Sequence, residues 1–165
     1  MATNRYALAD YILTITLPDN RILESYIQLP EGTKAFSIGG PGENGLDGSF
    51  LGSITAKRNE DVWRTEGDPT GSWVHNKSLD RTGEISLEIM QVSDEVIRLS
   101  IICNAFQSIQ EGIPGLGITI TSAADNNNIV ATAHDCYITK VPDHDFGESA
   151  KTFTFNFTCG RIMFY

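Results

Sequence analysis

Between Gly83 and Phe106 the spacing of apolar residues changes from strand-like to helix-like, and this switch restricts the fold more than any other feature. In GEISLEIMQ, Ile85, Leu87 and Ile89 alternate with Glu84, Ser86 and Glu88. Period two describes a strand with one dry face and one wet, acidic face. In VSDEVIRLSIICNAF the apolar residues then recur at helical spacing: Val96, Leu99 and Cys103, with Ile97 and Ile101 as a second row. Ser93 is a suitable N-cap, Asp94 and Glu95 suit the positive end of a helix dipole, and Asn104 is a candidate terminator. One helix over residues 93–106 is therefore expected to pack across the open face of a sheet.

The remaining segments read as strands. Leu8–Leu17 and Ile22–Leu29 flank the turn Pro18-Asp19-Asn20 and predict a hairpin. Lys34–Ile38, Ile54–Lys57 and Val62–Glu66 are short candidates, the last two joined by a polar turn at Arg58–Asp61. Asp68-Pro69-Thr70-Gly71 is a strong turn signal, and Asn76–Thr82 reads as a solvated loop. Leu116–Ser122 and Ile129–Val141 pair around an Asp-Asn turn. After a polar loop at Pro142–Ser149, Lys151–Cys159 alternates Phe153, Phe155, Phe157 and Cys159 with Thr152, Thr154, Asn156 and Thr158, leaving Gly160–Tyr165 as an apolar tail. The expected class is mainly β: a single domain over 1–165, an antiparallel sandwich or barrel with one flanking helix.

Residues 39–52 (GGPGENGLDGSFLG) carry six glycines. Loops of this length tend to be functional or to order on binding. Gly45, Leu46, Phe50 and Leu51, with Met163, Phe164 and Tyr165 of the tail, are therefore candidates for contacts between subunits. Gly40-Pro41-Gly42-Glu43-Asn44-Gly45 spells G-x-G-x-x-G, but no helix follows to present amides to a pyrophosphate.

Composition narrows the function classes. A chain of 165 residues buries roughly 70% of its extended surface and needs no staples. A net charge of −9 argues against a protein that grips phosphates, although not against a surface that nucleic acid passes. No apolar run approaches the roughly 20 residues of a membrane helix, and the opening MATNRYALADY lacks the pattern of a secretory leader. Cys103, Cys136 and Cys159 have no metal or redox spacing and are expected as buried thiols in a reducing compartment. His134-Asp135 and Asp143-His144-Asp145 lack metal-ligand spacing, and Cys103 or Cys136 beside His75 or His134 lacks any nucleophile elbow. No catalytic residue, metal or cofactor is expected. The two sequons, at Asn76 and Asn156, carry no weight without a leader. Trp63, Trp73 and Phe50 are expected in the core rather than in a ligand cavity.

The order of elements resembles the tail tube proteins of contractile-tailed bacteriophages. The matching residues are Gly83, Ile85, Leu87 and Gln91 of the strand and Ser93 and Leu99 of the helix. Lys140, Pro142 and Asp143 follow, then Phe153, Phe155, Gly160 and Arg161. The resemblance runs from Trp73 to the end, while the first seventy residues match only in general character. The helix departs from the family pattern in carrying Asp94-Glu95 where an early Asn is usual. The resemblance implies a non-enzymatic structural subunit of a virion, made in the bacterial host cytoplasm. It implies homohexameric rings stacked into a tube that conducts DNA, with sheath, baseplate and tail-terminator proteins as partners and no membrane insertion. A polar strand face could then line the bore, with Glu84, Glu88, Thr152, Thr154 and Asn156 as lumen-facing candidates. The alternatives are a type VI-like inner tube or tail terminator, which share the fold, and a monomeric β-sandwich module binding a glycan or protein through Trp63 or Trp73.

Overall fold

The computed structural model describes residues 11–18, 35–39, 51–91, 94–108, 114–122, 128–144, 146–149 and 151–165. Among these residues, nine strands and one helix follow in the order β1 (Tyr11–Thr16), β2 (Ala35–Gly39), β3 (Leu51–Arg58), β4 (Trp63–Gly67), β5 (Trp73–Lys77), β6 (Gly83–Met90), α1 (Asp94–Ser108), β7 (Leu116–Ser122), β8 (Asn128–Ile138) and β9 (Thr152–Phe164). Seven strands form an antiparallel sheet in the order β2-β1-β7-β8-β9-β6-β3, and β4 and β5 form a separate two-stranded ribbon. The described strands do not close into a barrel. The predicted strand at Ile22–Leu29 lies outside the described residues.

Alternation places the core. Leu13 and Ile15 of β1, Ile85, Leu87 and Ile89 of β6, and Phe155 and Phe157 of β9 are essentially inaccessible, and one cluster joins them to β2, β7, β8 and the helix. Full burial of such side chains contributes roughly 1.5–3 kcal/mol each. Register does the sorting: Ile85 opposes Phe157, Leu87 opposes Phe155 and Ile89 opposes Phe153, so both strands turn their apolar sets inward together. The strand β6 is next to last in the sheet, and β8 is its middle member.

The helix covers the apolar face with Val96, Leu99, Ile102, Cys103 and Ala105, all buried. Arg98 lies over the Phe36 ring at 5.8 Å, and Phe106 meets Tyr137 edge-on at 5.5 Å. Ile97 is 63% exposed, against the expected second apolar row. At about 100° per residue, Ile97 lies about 160° around the helix from Leu99, so one sheet cannot bury both. Asn104 does not end the helix, because Ala105 and Phe106 continue the buried stripe. Ser93 lies outside the described residues.

Three further expectations are corrected. The predicted tail is the second half of β9, which continues through Phe164 against β8, pairing Thr132 with Met163 and Ala131 with Phe164; Ile162 is fully buried. Gly160, at the start of the expected tail, lies mid-strand, where a Cβ would fit tightly, 3.3 Å from the Asp135 Cβ and 3.4 Å from its carboxylate. Asn76 and Lys77 belong to β5 rather than to a loop, and β4 pairs with β5 while β3 pairs with β6. The stretch 39–52 is shortened at both ends, since Gly39 closes β2 in the left-handed region (φ 85°) and Leu51 opens β3.

Candidate assembly surface

The β4–β5 ribbon is the one described element with no dry face. All ten of its residues are exposed. Directly opposed residues of an antiparallel pair share a face. Trp63, Thr65, Trp73, His75 and Lys77 therefore lie on one side, and Arg64, Glu66, Val74 and Asn76 on the other. The Lys77 ammonium sits 5.7 Å from the centre of the Trp63 ring, and the Thr65 hydroxyl and His75 Nδ1 are 2.8 Å apart. Trp63 and Trp73, expected in the core, are 59% and 67% exposed.

The turn explains why the ribbon forms. The Asp68 carboxylate accepts from the Thr70 amide at 2.9 Å, the Thr70 hydroxyl at 2.6 Å and the Ser72 amide at 3.0 Å. Those bonds, the Thr70 hydroxyl first, hold its carboxyl below the ordinary carboxylate range. Gly71 supplies the left-handed residue (φ 90°). At the base, Ser78 donates its amide to the Val62 carbonyl at 2.8 Å. Beyond the base, Leu79 is 81% exposed, and with Arg81 and Arg161 it lines an open hollow of about 470 Å³. A two-stranded ribbon alone is at best marginally stable in water, so one bearing two bare indoles is suited to a partner surface.

Of the predicted contact residues, Gly45, Leu46 and Phe50 lie outside the described residues. Leu51 stands opposite Ile89 at the start of β3. Met163 and Phe164 are paired within β9, and Tyr165 follows directly after it. The Tyr165 amide donates to the Val130 carbonyl at 2.9 Å, while the residue remains 70% exposed. Phe164 lines an apolar cleft of about 170 Å³ with Tyr11, Ile54, Ala56, Ile120 and Val130.

The predicted lumen candidates share one polar face. Glu84 opposes Thr158, Ser86 opposes Asn156, Glu88 opposes Thr154 and Met90 opposes Thr152. The Ser86 hydroxyl donates to the Asn156 side-chain oxygen at 2.7 Å, and Ser53 donates to Glu88 at 3.1 Å. Lys57 lies 3.3 Å from the Glu84 carboxylate, which reduces the net charge on this face. Further along the same sheet, the Thr14 and Ser37 hydroxyls are 3.2 Å apart.

The other candidates separate. His75 is on the ribbon, and Cys136 faces the Cys159 thiol at 3.1 Å. Cys103 is buried on α1, and that burial pushes its thiol pKa up. His144 donates from Nδ1 to the Pro142 carbonyl at 2.9 Å and packs on Phe153 at 4.8 Å, a contact that holds the loop to the core. Among the described residues, no three His, Cys, Asp or Glu side chains converge as a metal site, and no helix is long and apolar enough to cross a membrane.

No protein-family model and no curated protein sequence matches the chain. Solved structures do. The cap of the anti-feeding prophage, its tube-terminating protein, is similar over 99% of this chain and 92% of its own, with 13% identity and a TM-score of 0.53. A chain from the sheath/tube terminator assembly of an extracellular contractile injection system, PVC, is similar over 99% of this chain and 98% of its own, with 12% identity and a TM-score of 0.51. The sequence resemblance to tail tubes and the three-dimensional comparison thus meet at one architecture, and this chain shares its fold with chains from the tube-terminating assemblies of contractile systems.

Proposed function

We propose that this chain is a non-enzymatic structural subunit of the tube of a contractile particle, whether phage tail or injection system. The observation that carries the reading is the bare ribbon with Trp63 and Trp73, carried on a fold shared with tube terminators. In this reading six copies close a ring, and the ribbon docks on a neighbouring copy. The polar face bearing Glu84, Glu88, Thr152, Thr154 and Asn156 then lines a water-filled bore through which DNA passes without sticking. The stretch 39–52 and the exposed Tyr165 ring supply further ring-to-ring contacts, and sheath and baseplate proteins are the outer partners.

A second reading, that the chain is a terminator ring which caps a tube rather than building one, is favoured by the two solved structures above, both from terminating assemblies. Sedimentation velocity over a concentration series separates the two. A tube subunit gives an open-ended series of growing species, because a head-to-tail interface that does not close keeps adding copies. A terminator gives one discrete ring species. A chain that stays monomeric at every concentration contradicts both.

A further inference from the structure

Cys136 on β8 and Cys159 on β9 oppose each other directly, both are buried, and their sulfurs are 3.1 Å apart. Three positions along the ladder, the Thr139 amide donates to the Asn156 carbonyl at 3.0 Å. That makes 139 and 156 a hydrogen-bonded pair, and by alternation 136 and 159 a non-hydrogen-bonded one. In such a pair the Cα atoms are about 4.5 Å apart, within the span of a disulfide, and these sulfurs need approach by only about 1 Å to bond. Next to the pair the ladder is interrupted: Asp135 is in the left-handed region (φ 58°), and the register between β7 and β8 shifts between Leu116 and Ile118. A bulge beside a buried pair provides a local place for the strands to part.

We propose that Cys136 and Cys159 form an oxidisable cross-strand dithiol, which closes to a disulfide with a low-molecular-weight disulfide such as oxidised glutathione as electron acceptor. The Cys159 thiolate attacks one sulfur of oxidised glutathione, forming a mixed disulfide and releasing one glutathione thiolate. The Cys136 thiolate then attacks the Cys159 sulfur and releases the second. Two protein thiols are oxidised, one glutathione disulfide is reduced, and the two protons end on the released glutathiones. Attack by Cys159 first agrees with the hydrogen bond between the thiols: Cys136 donates to Cys159, which lowers the pKa of Cys159 and raises that of Cys136. The closed form joins the middle strand of the sheet to the strand that carries the C-terminal residues.

The test equilibrates the full chain in glutathione buffers from reducing to oxidising. Each sample is acid-quenched, unfolded and alkylated, and its peptides are read by mass spectrometry. The expected result at the oxidising end is one alkylated cysteine, Cys103, a peptide joining Cys136 to Cys159, and a raised thermal midpoint that dithiothreitol reverses. Three alkylated cysteines at every ratio, or a linkage through Cys103, overturns the proposal. In Cys136→Ser the reaction is expected to stop at a Cys159–glutathione mixed disulfide. A fully reduced Cys159 in that variant overturns its role as the attacking thiolate.

Discussion

At the scale of single residues, the alternation in β9 makes the sharpest stability prediction. Phe155 is fully buried and Thr154, its neighbour, is exposed. Phe155→Ala is expected to cost about 3–5 kcal/mol in denaturant unfolding, through lost transfer energy and the cavity left behind. Thr154→Ala is expected to cost less than half of that, and equal costs would contradict the facing of the strand. Gly83 makes a second prediction. A Cβ there would meet the Lys57 carbonyl oxygen and the Ile162 side chain. Gly83→Ala is therefore expected to destabilise by about 1–3 kcal/mol, because backbone cannot move aside as a flexible side chain can. Asp68 gives a pH dependence whose sign is fixed by its hydrogen bonds. Its folded pKa is depressed, so its support of the turn is fully present above the unfolded value near about 3.9 and is lost as pH falls through the lower folded value. An NMR titration checks this: the Thr70 and Ser72 amide shifts should titrate with a midpoint below the ordinary carboxylate value, and a midpoint at or above that value would contradict it.

At the scale of elements, the strands with one wet and one dry face were the legible ones. The pattern of β6, of Leu116–Ser122 and of the first half of β9 could be read directly, because burying a single face imposes strict alternation. Two elements escaped for opposite reasons. All the ribbon's residues are exposed, so Asn76 and Lys77 carry no alternation and read as the start of a loop. The second half of β9 was hidden by Gly160, a breaker in most contexts, which here leaves room for Asp135. The five lumen candidates could be brought to one face by counting in twos. The indoles of Trp63 and Trp73 were misassigned because aromatic content alone does not say whether the burying surface is within the chain or on a partner. The ribbon therefore carries the element-scale prediction. The double variant Trp63→Ala, Trp73→Ala is expected to abolish association in sedimentation and to leave the monomer's thermal midpoint within about 2 °C, since exposed changes cost at most about 0.5 kcal/mol. A large loss of midpoint would place those rings in the monomer's own core.

At the scale of the whole molecule, the described residues divide into one core, shared by the seven-stranded sheet and the helix, and a ribbon whose residues are all exposed. A packed core beside an exposed, indole-bearing ribbon suits a subunit that is repeated or stacked. Its sheet face of hydroxyl, amide and carboxylate side chains suits the proposed role as a wall that other molecules pass. The central claim, that the chain assembles into the tube part of a contractile particle, is tested most directly by negative-stain electron microscopy of the purified protein over a concentration series. Sixfold rings with a stain-filled bore are expected, isolated if the chain terminates a tube and stacked if it builds one. A uniform field of small particles, unchanged from the lowest to the highest concentration, would contradict it.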